Sequence, residues 1–294
     1  AAEVLAEKLP ELIAGLKFEK SMRWNASGTA FSRPVRWLLA LHGEALVPFV
    51  YAGLHSAKAS RGLRLSKGEQ FAVTNAKDYL AKLKKQGILL DVDQRKATIQ
   101  NQITKLAAKA GGSTPQDPGL LKEVTHLVET PTALLGEFDA AYLELPQEVL
   151  IGVMKKHQRY FPVEKDGTLL NYFIAVANGE IDAKAVTAGN AAVLRARFAD
   201  AAYFIRKDRE HALSHYVDGL KQLTFQKELG SMWDKAQRVA ELTRVFSPSL
   251  GLDATESEVA HRAAQLSKAD LVTKMVVEMT SLQGVIGRTY ALES

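Results

Sequence analysis

The sequence contains no cysteine among its 294 residues, so disulfide bonds and cysteine-ligated zinc sites are excluded. It also lacks any apolar run near the ~20 residues that a membrane-spanning helix needs, and no signal-peptide pattern opens the chain. The first residues are Ala-Ala-Glu, without an initiator methionine, and we therefore expect an internal fragment of a longer protein. The composition, 47% hydrophobic and 24% charged, is that of an ordinary globular protein with ample material for a core.

Several common catalytic and nucleotide-binding motifs are also missing. No Gly-x-x-x-x-Gly-Lys-Ser/Thr phosphate loop occurs, and Gly111-Gly112 follows a predicted helix rather than opening one. The Gly-x-Ser-x-Gly nucleophile elbow is absent. His211 and His215 have the four-residue spacing of a metal-binding helix, but no His-Glu-x-x-His pattern surrounds them. The sequence thus predicts no Walker-type nucleotide site, no metal site and no catalytic residue in this chain.

Positive charge is concentrated in one N-terminal stretch. Residues 17–67 contain nine Lys or Arg and two acidic residues, whereas the whole chain has a net charge of +5. Localised positive charge attracts polyanions, and aromatic rings beside it can stack on bases. A nucleic-acid surface is one interpretation, and a solvated basic face above aromatic core residues is the other. The aromatic residues interleaved with the cations are Trp24, Phe31, Trp37, Phe49 and Tyr51.

Helical and extended patterns divide the chain into a mixed α/β part and a helical part. The first part is predicted to contain a helix over 1–16, strands within 22–51, helices at 75–86, 93–110 and 120–128, strands at 133–137, 160–163 and 173–177, and a helix from Pro146 to His157. From Thr187 onward the pattern is helical, with an apolar stripe of Leu194, Phe198, Ala201 and Ile205 and further helices at 231–246, 256–268, 269–279 and 283–292.

The C-terminal helices resemble the HD-domain arrangement, a helical scaffold of metal-dependent phosphohydrolases. The segment that begins at Asp234 is similar to the first helix of that family, and Ala263-Ala-Gln-Leu-Ser-Lys-Ala-Asp270 is similar to the helix with its His-Asp pair. Here Asp234 stands near the place of the first histidine, and the place of the pair is taken by Ser267, Lys268 or Ala269, depending on the register. Because lysine cannot replace a neutral imidazole ligand, we expect a degenerate scaffold in which Asp270 caps a helix starting at Leu271.

Four segments, in this order and spacing, resemble the β subunit of bacterial glycyl-tRNA synthetase, the type with separate α and β chains. The resemblance covers essentially the whole chain and the middle of the longer family subunit. It departs from the family pattern at Leu63, where we expect histidine. The segments are Ser21-Met-Arg-Trp24 with Phe31-Ser-Arg-Pro-Val-Arg-Trp37, Pro146-Gln-Glu-Val-Leu with Met154-Lys-Lys-His-Gln-Arg-Tyr-Phe-Pro162, Gly189-Asn-Ala-Ala-Val-Leu-Arg-Ala-Arg-Phe-Ala-Asp-Ala-Ala-Tyr-Phe204, and Leu266-Ser-Lys-Ala-Asp-Leu-Val-Thr-Lys-Met-Val276 with Leu282-Gln-Gly-Val-Ile-Gly287.

The resemblance implies an α+β fold with two domains. Residues 1–205 are expected to form a mixed α/β domain that resembles the B3/4 tRNA-editing domain of phenylalanyl-tRNA synthetase. Residues 206–294 are expected to form the degenerate HD-like domain, cut short. No proteinogenic amino acid is smaller than glycine, so a hydrolytic size sieve has little to remove. We therefore expect the first domain to contact RNA and support assembly rather than to edit.

The resemblance further implies the role of a ligase subunit. The chain is expected to bind tRNA(Gly) and to assemble with the α subunit in a cytoplasmic α2β2 tetramer, without contact to a membrane. ATP and Mg²⁺ are expected to be used by the holoenzyme, at an adenylation site on the α subunit, and no cofactor is expected in this chain. Two alternatives are an HD-type metal-dependent phosphohydrolase and a general RNA-binding module.

The candidate RNA-binding residues are arginines and lysines near aromatic residues or at a predicted helix end. Guanidinium groups suit phosphate oxygens and stack on rings. Cations near the C-terminal end of the helix that starts at Pro146 also complement its dipole, so for this second cluster the dipole role and RNA contact both stay open. The candidates are Arg23, Arg33, Arg36, Arg61, Arg64, Lys155, Lys156 and Arg159.

Overall fold

The computed structural model describes residues 1–64 and 69–293 and shows the predicted α+β class. The helices confirm most of the sequence-based segments to within a few residues. The helices among these residues are α1 (Ala2–Ala14), α2 (Tyr79–Lys85), α3 (Val92–Lys109), α4 (Pro118–Leu127), α5 (Gln147–Gly152), α6 (Ala183–Asp208), α7 (Met232–Phe246), α8 (Ala254–Leu266), α9 (Lys274–Glu278) and α10 (Val285–Glu293).

The strands are short, and most contain two or three residues. They pair into small sheets, of which the largest have three strands, in the orders β3-β7-β6 and β10-β12-β11. The described strands are β1 (Met22–Arg23), β2 (Ala30–Phe31), β3 (Leu38–Leu39), β4 (Leu41–His42), β5 (Ala45–Leu46), β6 (Val50–Tyr51), β7 (Leu54–Ala57), β8 (Ala59–Arg61), β9 (Gln70–Ala72), β10 (Pro131–Glu137), β11 (Phe161–Lys165), β12 (Thr168–Asn178), β13 (Thr224–Gln226) and β14 (Gly230–Ser231).

The chain forms two compact units, each built from separate stretches of sequence. The first contains Ala1–Gln102, Leu121–Ala133 and Val176–Asp182, and the second contains Ile103–Leu120, Leu134–Ala175 and Ala183–Ser294. These units follow spatial contacts and differ from the domain division after residue 205, which stays a prediction. Lys67, the last cation of the basic stretch, lies outside the described residues.

In the first unit, local capping signals place the helix that follows the strands. The Asn75 side chain accepts a hydrogen bond from the Lys77 N–H at 3.0 Å and starts a short 3₁₀ turn that leads into α2. Gly87, with φ of +76°, then lets the chain leave the helix in a left-handed conformation. The predicted start and stop of this helical segment are therefore confirmed. Val73, Leu83, Ile99 and Val124 are buried within the unit.

In the second unit, the predicted stripe of α6 enters the core. Leu194, Phe198, Ala201 and Ile205 have at most 1% of their surface exposed. At the end of the same helix, the buried Asp208 accepts hydrogen bonds from the Lys274 N–H at 2.8 Å and from the Met275 N–H at 2.9 Å. A carboxylate that binds the free N–H groups of a first turn stabilises it. Asp208 thus fixes the start of α9 against α6.

The predicted continuous helix over 269–279 is wrong. Residues Ala269–Val272 form a 3₁₀ turn, and Thr273 has extended backbone angles before α9 begins. Thr273 Oγ1 accepts a hydrogen bond from the Val276 N–H at 3.3 Å, so Thr273 is the cap. The prediction that Asp270 caps a helix at Leu271 is therefore also wrong. Among the described residues, no helix is long and apolar enough to cross a lipid bilayer.

Candidate nucleic-acid interface

A cleft of about 720 Å³ in the first unit gathers four of the eight candidate residues. They are Arg33, Arg36, Arg61 and Arg64, and all four are exposed. Trp37 also lines the cleft and keeps 41% of its surface exposed. The basic stretch thus folds so that four of its five arginines face one space. The other lining residues are Gly62, Ile88, His126, Leu127, Glu129 and Asn178.

The first wall of the cleft is the segment that joins β2 to β3. Pro34 restricts the backbone between the two arginines of this segment. Trp37 leads directly into β3, which pairs in parallel with β7, with Leu38 opposite Ser56. The buried Ser56 hydroxyl donates to the Val47 carbonyl at 2.7 Å and accepts from the Phe49 N–H at 3.0 Å. These bonds anchor the strand that positions the Trp37 indole.

The second wall is the end of β8 and the residues after it. β8 pairs with β9, and Arg61 stands opposite Gln70. A Cβ on Gly62 would lie 2.5 Å from the Gln86 side-chain oxygen, so a side chain there would require Gln86 to move. Leu63 points inward and is only 7% exposed. The expected departure from the family pattern therefore concerns a buried position, while the nearby Arg61 and Arg64 are exposed.

The third wall combines the end of α4 with a turn held by a side-chain amide. Asn178 Oδ1 accepts hydrogen bonds from the N–H groups of Glu129 and Thr130, both at 2.9 Å. The buried Arg95 donates to the Thr125 carbonyl at 2.8 Å and so ties α3 to α4. Because these bonds fix the backbone from Thr125 to Thr130, they also fix the positions of His126 and Leu127.

The cleft is strongly positive. Four guanidinium groups, which stay charged at any physiological pH, share it with Glu129 as the only carboxylate in the described lining. Arg33, Arg36 and Arg64 form no ion pair with an acidic side chain among the described residues. Guanidinium groups that are not neutralised by the protein attract phosphate oxygens and can bind them in pairs of hydrogen bonds. The geometry is suited to a polyanion with an accessible backbone.

Arg23 does not line this cleft. Its Nε donates to the Gly28 carbonyl at 2.9 Å and closes the turn between β1 and β2, where Met22 pairs with Phe31 and Arg23 with Ala30. Gly28 has φ of +67°, as the tight turn requires. Arg23 thus has a structural role in the hairpin that precedes the cleft residues.

The remaining candidates lie in the second unit, near the end of the helical segment that begins with α5. This segment ends in a π-helical turn over Val153–His157. Lys155 forms an ion pair with Asp117, while Lys156 and Arg159 are exposed. Burial opposes ionisation of Asp117, but the Leu120 N–H and the Lys155 ammonium outweigh it and lower the pKa of this carboxyl. Lys155 is therefore neutralised within the protein, unlike Arg33, Arg36 and Arg64.

The second cluster nevertheless carries a local positive potential. His157 stands among Lys156, Arg159 and Arg197, and its partial burial and then these cations lower its pKa. Arg159 has φ of +56°, in the left-handed region that a non-glycine residue seldom occupies. Its backbone N–H bonds to the Lys155 carbonyl at 3.1 Å and closes the turn. The cluster is a fixed group of cations at a helix end.

Of the three residues expected at HD positions, Asp234 and Asp270 have structural contacts. Asp234 forms a capping box with Ser231 at the start of α7, where its Oδ2 accepts from the Ser231 N–H at 2.7 Å. These bonds lower the pKa of Asp234. Asp270 is 2% exposed and accepts from the Gly284 N–H at 2.5 Å. Lys268 precedes the 3₁₀ turn that contains Asp270. No group of three or more potential metal ligands occurs in the described part of the chain.

Sequence reasoning misses the third wall of the cleft. Ile88, His126, Leu127 and Asn178 stand far from the basic stretch in the sequence and belong to no charged or aromatic motif. His126 and Leu127 have one local signal, the amphipathic pattern of α4, which leaves Leu127 61% exposed at its end, whereas Ile88 and Asn178 lie outside α4. His211 and His215 are not on one helix, since α6 ends at Asp208, and their rings stack with centroids 4.1 Å apart.

Comparisons with known proteins identify the family. A family model described as glycyl-tRNA synthetase beta subunit matches residues 1–294. The glycine–tRNA ligase beta subunit of Desulforamulus reducens is 46% identical over 100% of this chain and 42% of its own length. The one from Clostridioides difficile is 45% identical over 99% and 42%, respectively. The chloroplastic/mitochondrial glycine–tRNA ligase 2 of Arabidopsis thaliana is 43% identical over 99% of this chain and 27% of its own length.

The chain therefore spans less than half the length of the curated relatives it matches. The match runs through both compact units and includes the four segments on which the resemblance rests. The resemblance seen in the sequence is confirmed, and the chain belongs to the glycyl-tRNA synthetase beta subunit family.

Proposed function

We propose that this chain is part of the tRNA-binding subunit of a glycine–tRNA ligase and that the arginine cleft contacts the phosphates of tRNA(Gly). The observation that carries the proposal is the convergence of Arg33, Arg36, Arg61 and Arg64 on one cleft. The sequence alone does not require this arrangement, because 24 residues lie between Arg36 of the first pair and Arg61 of the second pair. The family membership supplies the context in which a polyanion-binding cleft meets tRNA.

In this proposal the chemistry takes place on the partner chain. The complete protein assembles with the α subunit as an α2β2 tetramer in the cytoplasm, and the holoenzyme uses ATP and Mg²⁺ to attach glycine to tRNA. The β chain contributes binding and assembly. Its mixed α/β part descends from a B3/4-like domain and its helical part from an HD-like domain. The capping role of Asp234 and the Gly284 contact of Asp270 are consistent with a helical scaffold that has lost metal chemistry.

The salt dependence of tRNA binding tests the phosphate contacts. In the full-length subunit, assembled with its partner, Arg33→Ala or Arg36→Ala should each weaken binding of tRNA(Gly). Each should also reduce the slope of log affinity against log salt by about one, because one fewer counterion is released. The matched control is Lys84→Ala, which removes an exposed cation of α2 outside the cleft and should leave both quantities unchanged.

Unchanged slopes in both arginine variants would refute the phosphate contacts. The phosphohydrolase and the general RNA-binding module are not supported by the family match. The same titration distinguishes the second alternative, since a general module binds any tRNA equally well, whereas the ligase subunit in its assembly prefers the glycine isoacceptors.

A further inference from the structure

We propose that the arginine cleft takes an unpaired stretch of RNA, about two nucleotides long, with one base stacked on Trp37. This inference rests on the proposed function and specifies the form of RNA that the cleft accepts. Phosphate binding explains the exposed arginines, but it does not explain the exposed Trp37 indole that lines the same cleft. An indole with an open face is suited to a base whose own face is open.

Trp37 differs from the other aromatic residues of the basic stretch. Trp24, Phe31, Phe49 and Tyr51 are all less exposed, and the exposed Phe18 packs edge-on against Phe31 with ring centroids 4.6 Å apart. Among the described residues, Trp37 has neither an aromatic neighbour nor a cation over its ring. Its ring therefore has a face that is free to stack on a base.

The surroundings of Trp37 provide an apolar side and a charged side. The arginines lie in the 720 Å³ cleft together with Leu127, which is 61% exposed, and Ile88. A second hollow of about 370 Å³ also borders Trp37, and the side chains along it are aliphatic or aromatic: Leu38, Leu39, Leu41, Val73, Ala76 and Tyr79. A nucleotide has the same division, since its base is flat and weakly polar while its phosphate is charged.

The size of the cleft argues for an unpaired strand over a duplex. Its volume lies within the ~300–1,000 Å³ range of sites for small organic ligands, which suits one or two nucleotides. In an A-form duplex the base faces are covered by stacking, and proteins contact mainly its phosphates and 2′-hydroxyls. Trp37 therefore has no partner on a duplex, whereas an unpaired base presents its face directly.

The closing experiment compares two probes on the full-length subunit in its complex with the partner chain. The probes are a single-stranded tetranucleotide and an RNA duplex that is long enough to be stable, in which stacking covers nearly all base faces. Trp37→Leu keeps an apolar side chain and removes the π-face, and it should weaken tetranucleotide binding by about tenfold while leaving duplex binding unchanged. Trp37→Phe should restore most of the affinity, because it restores a ring.

Salt slopes separate this inference from the proposed function. Trp37→Leu removes no charge, so the slope for the tetranucleotide should stay at its wild-type value, while Arg36→Ala should lower it by about 0.7. Equal losses for both probes, or no loss for the tetranucleotide, overturn the stacking claim even if the arginine slopes behave as proposed. If the arginine slopes do not change, the proposed function fails independently.

If the Trp37→Leu variant does not fold, cross-linking of RNA to the wild-type complex tests the inference instead. A tetranucleotide with 4-thiouridine is cross-linked by near-ultraviolet light, and the labelled peptide is identified by mass spectrometry. Label on the peptide that contains Trp37 supports the inference. Label confined to peptides outside the cleft lining contradicts it.

Discussion

His157 is the residue whose titration reports most directly on the second basic cluster. Burial and the charges of Arg197, Arg159 and Lys156 lower its pKa, so the neutral ring is favoured in the free protein. A bound phosphate reverses the sign of the local potential and stabilises the imidazolium. If this cluster contacts tRNA, binding should raise the pKa of His157.

The prediction has a spectroscopic and a thermodynamic readout. Carbon-13 labelled histidine gives the His157 titration in the free and tRNA-bound complex, and the midpoint should move upward on binding. By linkage, the affinity for tRNA should then increase as the pH falls through the interval between the two midpoints. His157→Asn removes that pH dependence. Identical midpoints in the two states would leave the cations near α5 with only their helix-dipole role.

Single side chains also show which sequence signals are reliable. The Asn75 cap is readable because a cap depends on a few adjacent residues. Asp270 carries the same type of signal, yet its carboxylate turns to the Gly284 N–H, fourteen residues away. Gly287 leaves room for it, since a Cβ there would lie 2.8 Å from Asp270 Oδ2. Tertiary packing therefore overrides the local preference at this position.

At the scale of elements, β10 and β12 fit together because Gly136 of β10 leaves room for the aromatic ring of Phe173 of β12. A Cβ on Gly136 would lie 2.2 Å from Phe173 Cζ, and Phe173 is 1% exposed in the core of the second unit. Gly189 in α6 is the opposite case, since nothing lies within 4 Å of a Cβ there. Packing therefore requires a glycine at position 136 but not at position 189.

Alanine at these two positions should change stability in opposite directions. Gly136→Ala should lower the free energy of unfolding by about 1–3 kcal/mol, because the core must shift to admit the methyl group. Gly189→Ala should raise it by about 0.5–1 kcal/mol, because alanine restricts the unfolded chain and favours helix. Urea unfolding of each variant at constant pH measures both. A Gly136→Ala protein as stable as the wild type would contradict the described packing of Phe173.

Elements could be predicted from the sequence better than their arrangement. The 3.6-residue stripe of α6 identifies Leu194 and Phe198 as core residues, because helical periodicity is a local property. The helix expected over 269–279 fails at Thr273, where the chain becomes extended to bring the α9 N-terminus to Asp208. That hydrogen bond joins residues that are 66 positions apart in the sequence, so no local sequence pattern predicts it.

At the scale of the whole molecule, the cleft depends on contacts between distant segments. The charge pattern identifies Arg33, Arg36, Arg61 and Arg64 as candidates, but strand pairing brings them to one space. The third wall comes from α4 and from Asn178, which the sequence does not connect to the charge pattern. Family resemblance identifies the kind of protein, whereas the structure shows which cations can act together.

Cations that look alike in the sequence have different surroundings in the structure. Lys155 is paired with Asp117 and is therefore neutralised, unlike Arg33 and Arg36. Arg23 keeps its charge, but it bonds the Gly28 carbonyl and lies outside the cleft lining. A side chain already engaged within the protein gains less from a phosphate, because its existing contact must be given up. We therefore expect RNA contact to be concentrated on fewer residues than the eight candidates.

The most direct test of the central claim is the steady-state kinetics of the complete ligase carrying Arg33→Ala together with Arg36→Ala. The cleft is proposed to bind tRNA and to leave adenylate formation to the partner chain. The kcat/KM for tRNA(Gly) in glycylation should therefore fall by at least about tenfold, as the loss of charge-assisted contacts requires. Glycine-dependent pyrophosphate exchange without tRNA should keep its wild-type rate. Wild-type kcat/KM for tRNA, or a parallel loss of pyrophosphate exchange, would contradict the account.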